Sequence, residues 1–203
     1  MPSTKATYHH GDLRAACLSA AMELLEESGE TALSLRAVAR RAGVSPAAPY
    51  RHYADREALV SAVAALGYRE LAQRLAAAHP SPSTPEQLTS VAVAYVQFAL
   101  ERPALFRIMF GEPCNRDNEE RTAATAAVTL YLREIVARVF PDTDAEAMAT
   151  ATWALVHGLA FLHLDGKLDA STPSAVADRV TAAIHALLSA TSHSGRASAV
   201  LPS

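Results

Sequence analysis

The sequence predicts an all-α protein, and three observations carry that expectation. Half of the 203 residues are apolar and only 19% are charged, with alanine abundant, a balance that favours helices in a globular chain. Apolar residues recur at three- and four-residue spacing over most of the length, the period of a helix face. Clusters of β-branched and aromatic residues bounded by turn residues are scarce. A chain of this length can bury a genuine core unaided.

Leu13, Ala16, Cys17, Ala20, Ala21, Leu24 and Leu25 share one face, so the first helix is expected over Gly11 to Ser28, ended by Gly29. Ser34 can cap a short second helix that turns Leu35, Val38 and Ala39 inward, and Gly43 supplies its left-handed stop. Ser45 before Pro46 is a start signal for a third helix, from Pro46 to about His52. Asp55 can cap a long fourth helix whose Leu59, Val63, Leu66, Leu71 and Leu75 hold one stripe until His79-Pro80.

The stretch from His79 to Pro85 reads as a connection rich in proline and serine. Beyond it, Thr84-Pro85-Glu86-Gln87 and Thr143-Asp144-Ala145-Glu146 have the form of capping boxes, each opening a helix. A break at Arg102-Pro103, a short helix from Ala104 to Phe110, a loop through Gly111, Glu112 and Pro113, and a helix through Val128, Leu132, Ile135 and Val139 lie between the two boxes. From Ala151 to Leu164 the chain is apolar nearly all round, which requires burial on more than one side. The last helix, Pro173 to about Ser189, repeats Val176, Val180, Ile184 and Leu187. Packing of the last two helices against their twins would form a four-helix dimer seam of Leu155, Leu159, Leu162, Val180, Ile184 and Leu187.

The organisation expected is therefore a small head over 1–55, a helical effector-binding and dimerisation part over 56–190 that begins with the long helix, and a small, polar, disordered tail over 191–203. No window approaches the roughly 18 uninterrupted apolar residues of a membrane span, and the start has no signal-peptide character. The expectation is a cytoplasmic protein without membrane contact. Cys17 and Cys114 match no metal or redox spacing, and Cys17 reads as a small core residue. His157 and His163 lie about 240° apart on a helix and do not converge on a metal. With no phosphate loop and no nucleophile elbow, the residues call for no enzyme activity, metal or cofactor.

Charge is uneven. The net charge is −3, yet Thr31 to Arg56 carries Arg36, Arg40, Arg41, Arg51 and Arg56 against Asp55 alone. A basic face on an acidic body suits contact with nucleic-acid phosphates. Two short helices joined by a Gly-containing turn present the second helix to base edges, and about seven residues span roughly 10 Å, which suits a major groove about 12 Å wide.

The runs Tyr8-His9-His10-Gly11-Asp12-Leu13-Arg14, Leu35-Arg36-Ala37-Val38-Ala39-Arg40-Arg41-Ala42-Gly43-Val44-Ser45 and Tyr50-Arg51-His52-Tyr53-Ala54-Asp55-Arg56-Glu57-Ala58-Leu59 resemble the TetR family of transcriptional regulators. The run Trp153-Ala154-Leu155-Val156-His157-Gly158 resembles a Trp-x-x-x-His-Gly signature of one subfamily's C-terminal domain. The resemblance implies a homodimeric repressor that leaves a palindromic, double-stranded operator when a small apolar or aromatic effector binds. It implies that Ser45, Pro46, Ala47, Tyr50, Arg51 and His52 face DNA, with Arg51 reading guanine, and that Ser34, Arg36 and Arg56 hold phosphates. Tyr95, Phe98, Phe106, Met109, Phe110, Tyr131, Trp153, His157 and Phe161 are the candidates for an apolar effector pocket. The chain departs from the family pattern at Pro49, where a leucine is usual. At the fourth helical position proline costs only the first bond of the reading helix, which is expected to survive with an altered entry angle. A small-molecule sensor or carrier with a degenerate DNA-binding head is the alternative that Pro49 suggests.

Overall fold

Capping side chains and left-handed glycines set most of the breaks between helices. The computed structural model describes residues 13–111 and 118–197, and these form only helices, turns and loops. In chain order they are α1 (Leu13–Ser28), a 3-10 turn at Glu30–Ala32, α2 (Leu35–Arg41), a 3-10 turn at Pro49–Arg51, α3 (Arg56–Ala78), α4 (Pro85–Glu101), α5 (Pro103–Gly111), α6 (Glu119–Val139), α7 (Ala145–Leu164) and α8 (Pro173–Ala197). The Tyr8 to Asp12 part of the N-terminal motif, Glu112, Pro113 and Cys114 lie outside the described residues.

The head is α1, α2 and the segment after it. Cys17, Leu18, Ala21, Leu24 and Leu25 bury the inner face of α1, and Cys17 is the fully enclosed small residue expected. Ser34 caps α2 by accepting from the Ala37 amide at 3.2 Å. At its other end Gly43 takes φ 68°. Val44 N donates to Ala39 O at 3.0 Å and Gly43 N to Arg40 O at 3.3 Å, the paired bonds of a Schellman stop.

The reading helix expected over Pro46 to His52 is not α-helical. Residues 46–48 are a turn, and Pro49–Arg51 is a 3-10 turn. Pro49 has no amide to give to Ser45 O, so the Ala48 amide takes that acceptor instead, at 2.9 Å. The tighter pattern continues from Arg51 N to Ala48 O at 3.2 Å and His52 N to Pro49 O at 3.0 Å. Ser45 thus contributes its carbonyl here, and no side chain caps the 3-10 turn. The Pro49 ring is buried and fills space that a longer apolar side chain would otherwise occupy.

Asp55 opens α3 by accepting from Ala58 N at 2.8 Å. Its 23 residues run roughly 35 Å, packing on α1 at the start and on α4, α5 and α6 beyond it. Thr84 caps α4 through Gln87 N at 3.4 Å, while the Gln87 side chain reaches one residue past the usual box to accept from Ser83 N at 2.8 Å. The cap of α7 is Asp144, not Thr143: its carboxylate accepts from the amides of Glu146 and Ala147, whereas the Thr143 hydroxyl donates back to Phe140 O. A carboxylate takes both free amides at once and is better matched to the positive helix end.

The core of the larger part is centred on Tyr95, Phe98, Leu105, Phe106, Ile108 and Met109, all essentially inaccessible. The α7 helix packs on α4, α6 and α8. By length and mean hydropathy alone it could cross a bilayer, but Glu146, Thr150, Thr152, His157 and His163 interrupt it, so it holds no uninterrupted apolar run of membrane-spanning length. The α8 helix continues to Ala197, past the start expected for a disordered tail, because no proline stands between Pro173 and Pro202 to stop it.

Where α5 crosses α3, a Cβ at Gly67 would lie 2.6 Å from Met109 Sδ and 2.9 Å from Leu105 Cδ1. The absence of a side chain lets the two backbones approach, and Tyr68 OH, next in sequence, donates to Met109 O at 2.7 Å. Gly67→Ala is expected to destabilise the protein by about 1–3 kcal/mol through overpacking. Urea denaturation measures it, and Met109→Ala in the same chain should recover part of the loss; a double variant as unstable as the sum of the singles would deny the contact.

Candidate DNA interface and effector cavity

Ser34, Arg36, Ser45, Pro46, Ala47, Tyr50, Arg51 and His52 are all exposed on the head, and Tyr50 shows 52% of its surface. Beneath them Tyr53 is buried, and its hydroxyl donates to Arg14 O of α1 at 3.4 Å. That anchor fixes the end of the segment while leaving its three preceding side chains outward. A 3-10 turn rotates about 120° per residue, so Tyr50, Arg51 and His52 diverge more than on an α-helix.

Two of the five arginines in the basic stretch are already spent. Arg56 donates through Nε to Leu33 O at 3.0 Å and through Nη2 to the Glu30 backbone and carboxylate at 3.2 and 3.0 Å. The expected phosphate contact of Arg56 therefore meets a competitor: its guanidinium, still partly exposed, ties the start of α3 to the loop before α2. Arg41 reaches Glu27 at 2.9 Å and Glu23 at 3.2 Å on α1. The hydrogen bonds that Arg41 gives to Glu27 and Glu23 raise its pKa, and the bond accepted by Glu27 lowers that of Glu27. Among the described residues Arg36, Arg40 and Arg51 form no ion pair, so they are the cations left for phosphate and base. Sequence alone does not separate Arg40 from Arg41; the acidic partners on α1 that claim Arg41 do.

In the larger part a cavity of about 350 Å³ opens between α6 and α7. Its inner end is Tyr68 of α3 with Met109 and Phe110 of α5. The walls come from Thr125, Val128, Thr129, Leu132 and Arg133 on α6 and from Glu146, Ala149, Thr150 and Trp153 on α7. Of the nine aromatic and Met candidates, Met109, Phe110 and Trp153 line it. Tyr95 instead lines, with Trp153, a much smaller void of about 20 Å³. Phe98 and Phe106 are plain core, and Tyr131 turns away to donate to His79 O at 3.2 Å. His157 and Phe161 stand in an aromatic cluster beside the cavity, with His157 4.7 Å from the Phe110 ring and 4.9 Å from Phe161. The lining residues missed from sequence are Tyr68, those at 125, 128, 129, 132 and 133 on α6, and those at 146, 149 and 150 on α7, helix faces whose threonines hid them from a search for apolar side chains.

A hydrogen-bond chain fixes Trp153 at the cavity edge. Trp153 Nε1 donates to Tyr95 OH at 3.3 Å, and Tyr95 OH lies 2.9 Å from His157 Nδ1. The Tyr95 hydroxyl has one proton of its own, and giving it to Nδ1 would leave His157 neutral with the proton on Nε2. Burial pulls the His157 pKa below the ordinary imidazole value, and burial raises that of Tyr95.

The dimer candidates divide. Leu159 of α7 and Val180 and Ile184 of α8 are buried within their own chain, where both helices pack on α4, and are corrected from seam to core. Leu162 remains exposed, and Leu155 and Leu187 are half-buried. The open face of α7 is instead Ala147, Ala151, Ala154, Gly158 and Leu162, spaced by three and four residues. A helix apolar on all sides gives no phase by which to choose its outward stripe.

Two family models match the chain: residues 18–63 match "Bacterial regulatory proteins, tetR family", and residues 88–187 match "Tetracyclin repressor-like, C-terminal domain". Both describe regulators rather than enzymes. A curated relative, the HTH-type transcriptional regulator BetI of Rhizobium meliloti (strain 1021), is 27% identical over 152 residues, 72% of this chain and 75% of that protein. Among solved structures, a Rhodococcus sp. RHA1 protein of unknown function is 34% identical with a TM-score of 0.74, covering 89% of this chain and 97% of that one. A bacterial regulatory protein in the tetR family from Rhodococcus RHA1 is 25% identical with a TM-score of 0.64, over 86% and 96% of the two chains.

Protonation of His157 is resisted in the fold and not in the unfolded chain. His163, buried with its pKa lowered by burial, acts in the same direction. Because both folded values are depressed, the unfolded chain takes the protons first, so stability holds above about pH 6.5 and falls as pH drops below it. Urea midpoints compared between about pH 7 and about pH 5 should fall for the parent chain and fall less for His157→Gln; a parallel decline in both would remove His157 from the account.

Proposed function

Because the chain belongs to the TetR family of bacterial transcriptional regulators, we propose that it acts as a homodimeric repressor whose operator affinity is switched by a small molecule in the α6–α7 cavity. The carrying observation is the exposed set Arg36, Arg40 and Arg51 on the head, while Arg14, Arg41 and Arg56 around it are engaged in ion pairs. Phosphate contacts by Arg36 and Arg40 would set register, and Arg51 would read a guanine edge through its forked donors. Residues 1–55 would work as the reading head and 56–190 as the effector and dimer part, acting on DNA in the cytoplasm. The Trp153-His157-Gly158 run, which supports placement in the Trp-x-x-x-His-Gly subfamily, borders the cavity through Trp153.

The small-residue stripe of α7 supports the dimer. Ala151, Ala154 and Gly158 allow close helix approach, and a Cβ at Gly158 meets nothing within 4 Å, so that position is open to a second copy related by two-fold symmetry. An effector shifts the equilibrium only by binding one arrangement of the heads better than the other. The route available runs from Met109 and Phe110 in the cavity to Gly67, and along α3 to Arg56 and the head. A second reading, a sensor with a degenerate head, draws on the 3-10 turn at Pro49–Arg51.

Gel shifts against the DNA upstream of its own gene test the proposal, with salt-sensitive, sequence-preferring binding expected. Arg51→Ala should relax base preference by about 1–3 kcal/mol, and Arg36→Ala should lower the salt slope by about one unit while Arg41→Ala leaves it unchanged. Binding without sequence preference, together with tight effector binding, would select the second reading. In sedimentation experiments Gly158→Glu should convert the dimer to monomer; a parent chain that sediments as monomer at all concentrations would end the dimer proposal.

A further inference from the structure

The polar groups of the α6–α7 cavity are arranged by end and by type. Arg133 and Glu146 both come from the end nearest the turn that joins α6 to α7, and both line the same cavity. They do not pair with each other, and among the described residues neither has an ion-pair partner. Tyr68, Met109 and Phe110 close the opposite end, where Arg121 of the first turn of α6 reaches Met109 O at 3.3 Å. A molecule aligned with this groove must be amphiphilic, apolar toward α5 and charged toward the turn.

The hydroxyls between the two ends are already committed as donors. Thr125 donates to Arg121 O at 2.9 Å, Thr129 to Thr125 O at 3.1 Å, and Thr150 to Glu146 O at 2.9 Å. Each threonine has one proton and has given it to its own helix. What the three offer the cavity is oxygen lone pairs, which accept. Trp153 has likewise spent its indole proton on Tyr95. Glu146 adds a further acceptor with a negative charge. A ligand ammonium has three donors and a positive charge to match them, whereas Arg133 remains for a ligand anion, as a planar fork suited to a carboxylate.

Resting on the reading of this cavity as the effector site, we propose that its ligand class is an amphiphilic zwitterion: an amino-acid-like head group with its ammonium toward Glu146 and the threonines, its carboxylate on Arg133, and an aromatic or long apolar tail against Met109, Phe110 and Tyr68. A purely cationic ligand would leave Arg133 unanswered, a purely anionic one Glu146, and a neutral one both.

Four probes with one phenyl-alkyl body separate these cases: 4-phenylbutanol, 4-phenylbutylamine, 4-phenylbutyrate and L-homophenylalanine. Trp153 is the chain's only tryptophan and lines the cavity, so its fluorescence in the full chain reports occupancy directly. L-Homophenylalanine is expected to bind about tenfold tighter than either singly charged probe. Glu146→Gln should weaken it and 4-phenylbutylamine without weakening 4-phenylbutyrate, and Arg133→Gln should do the reverse. Equal binding of all four probes, or variants that shift all four alike, would overturn the zwitterion and leave the cavity as an effector site. No response of Trp153 to any probe, 4-phenylbutanol included, would overturn both readings.

Discussion

The close crossing of α5 over α3 at Gly67 is the contact on which the rest of the arrangement depends. Met109 and Leu105 occupy the space a side chain at 67 would need, and the Tyr68 hydroxyl locks the same place by donating to Met109 O. Met109 belongs at once to the core, to the crossing and to the inner end of the cavity. Close-packed interiors transmit displacement rather than absorb it. A molecule that displaced Met109 would therefore press on the middle of the helix whose first residue holds the head.

Around that crossing, two charged clasps join the head to the body. Glu120 of α6 receives Arg14 of α1 and, at 2.8 Å, Arg69 of α3. Burial pushes the Glu120 carboxyl upward, but the hydrogen bond from Arg69 and the charge of Arg14 outweigh it and hold the pKa below the usual carboxylate range. Arg102, at the end of α4, bridges Glu26 of α1 and Glu70 of α3 at 2.7 and 2.8 Å. Each clasp is partly exposed, so each contributes little to stability on its own. Their geometry matters more, because both span the helices that would have to slide if the head moved.

The α7 helix serves three surfaces, and this explains its composition. One side faces α4 with Val156 and Ala160, one lines the cavity with Ala149, Thr150 and Trp153, and one lies open with Ala147, Ala151, Ala154 and Gly158. A helix with polar residues on only a fraction of its circumference cannot be solvated on any broad face. Small residues at 147, 151, 154 and 158 mark most of its open face, with Leu162 the large exception.

Much of the fold was legible in the chain because its signals are local. Ser34, Asp55 and Thr84 cap the helices they precede, and Gly43 stops α2, since each needs only neighbouring amides or its own backbone freedom. Pro49 was legible as a break but not in its outcome: whether the reading segment stayed α-helical depended on which amide took Ser45 O and on the buried seat of the ring beneath it. Residue type likewise put Arg36, Arg40, Arg41, Arg51 and Arg56 alike on one basic face, and only the folded neighbours, Glu23 and Glu27 beside Arg41 and Glu30 beside Arg56, engage two of them internally. The cavity was the least legible part, because its walls come from four helices and its threonines look like ordinary surface residues. By itself the sequence determined where most helices begin and end and which stripe the amphipathic ones bury, because those follow from bonds within a few residues. Tertiary structure alone decided which cations stay free, which face of α7 is open and where a ligand would fit, because each depends on groups that only folding brings together.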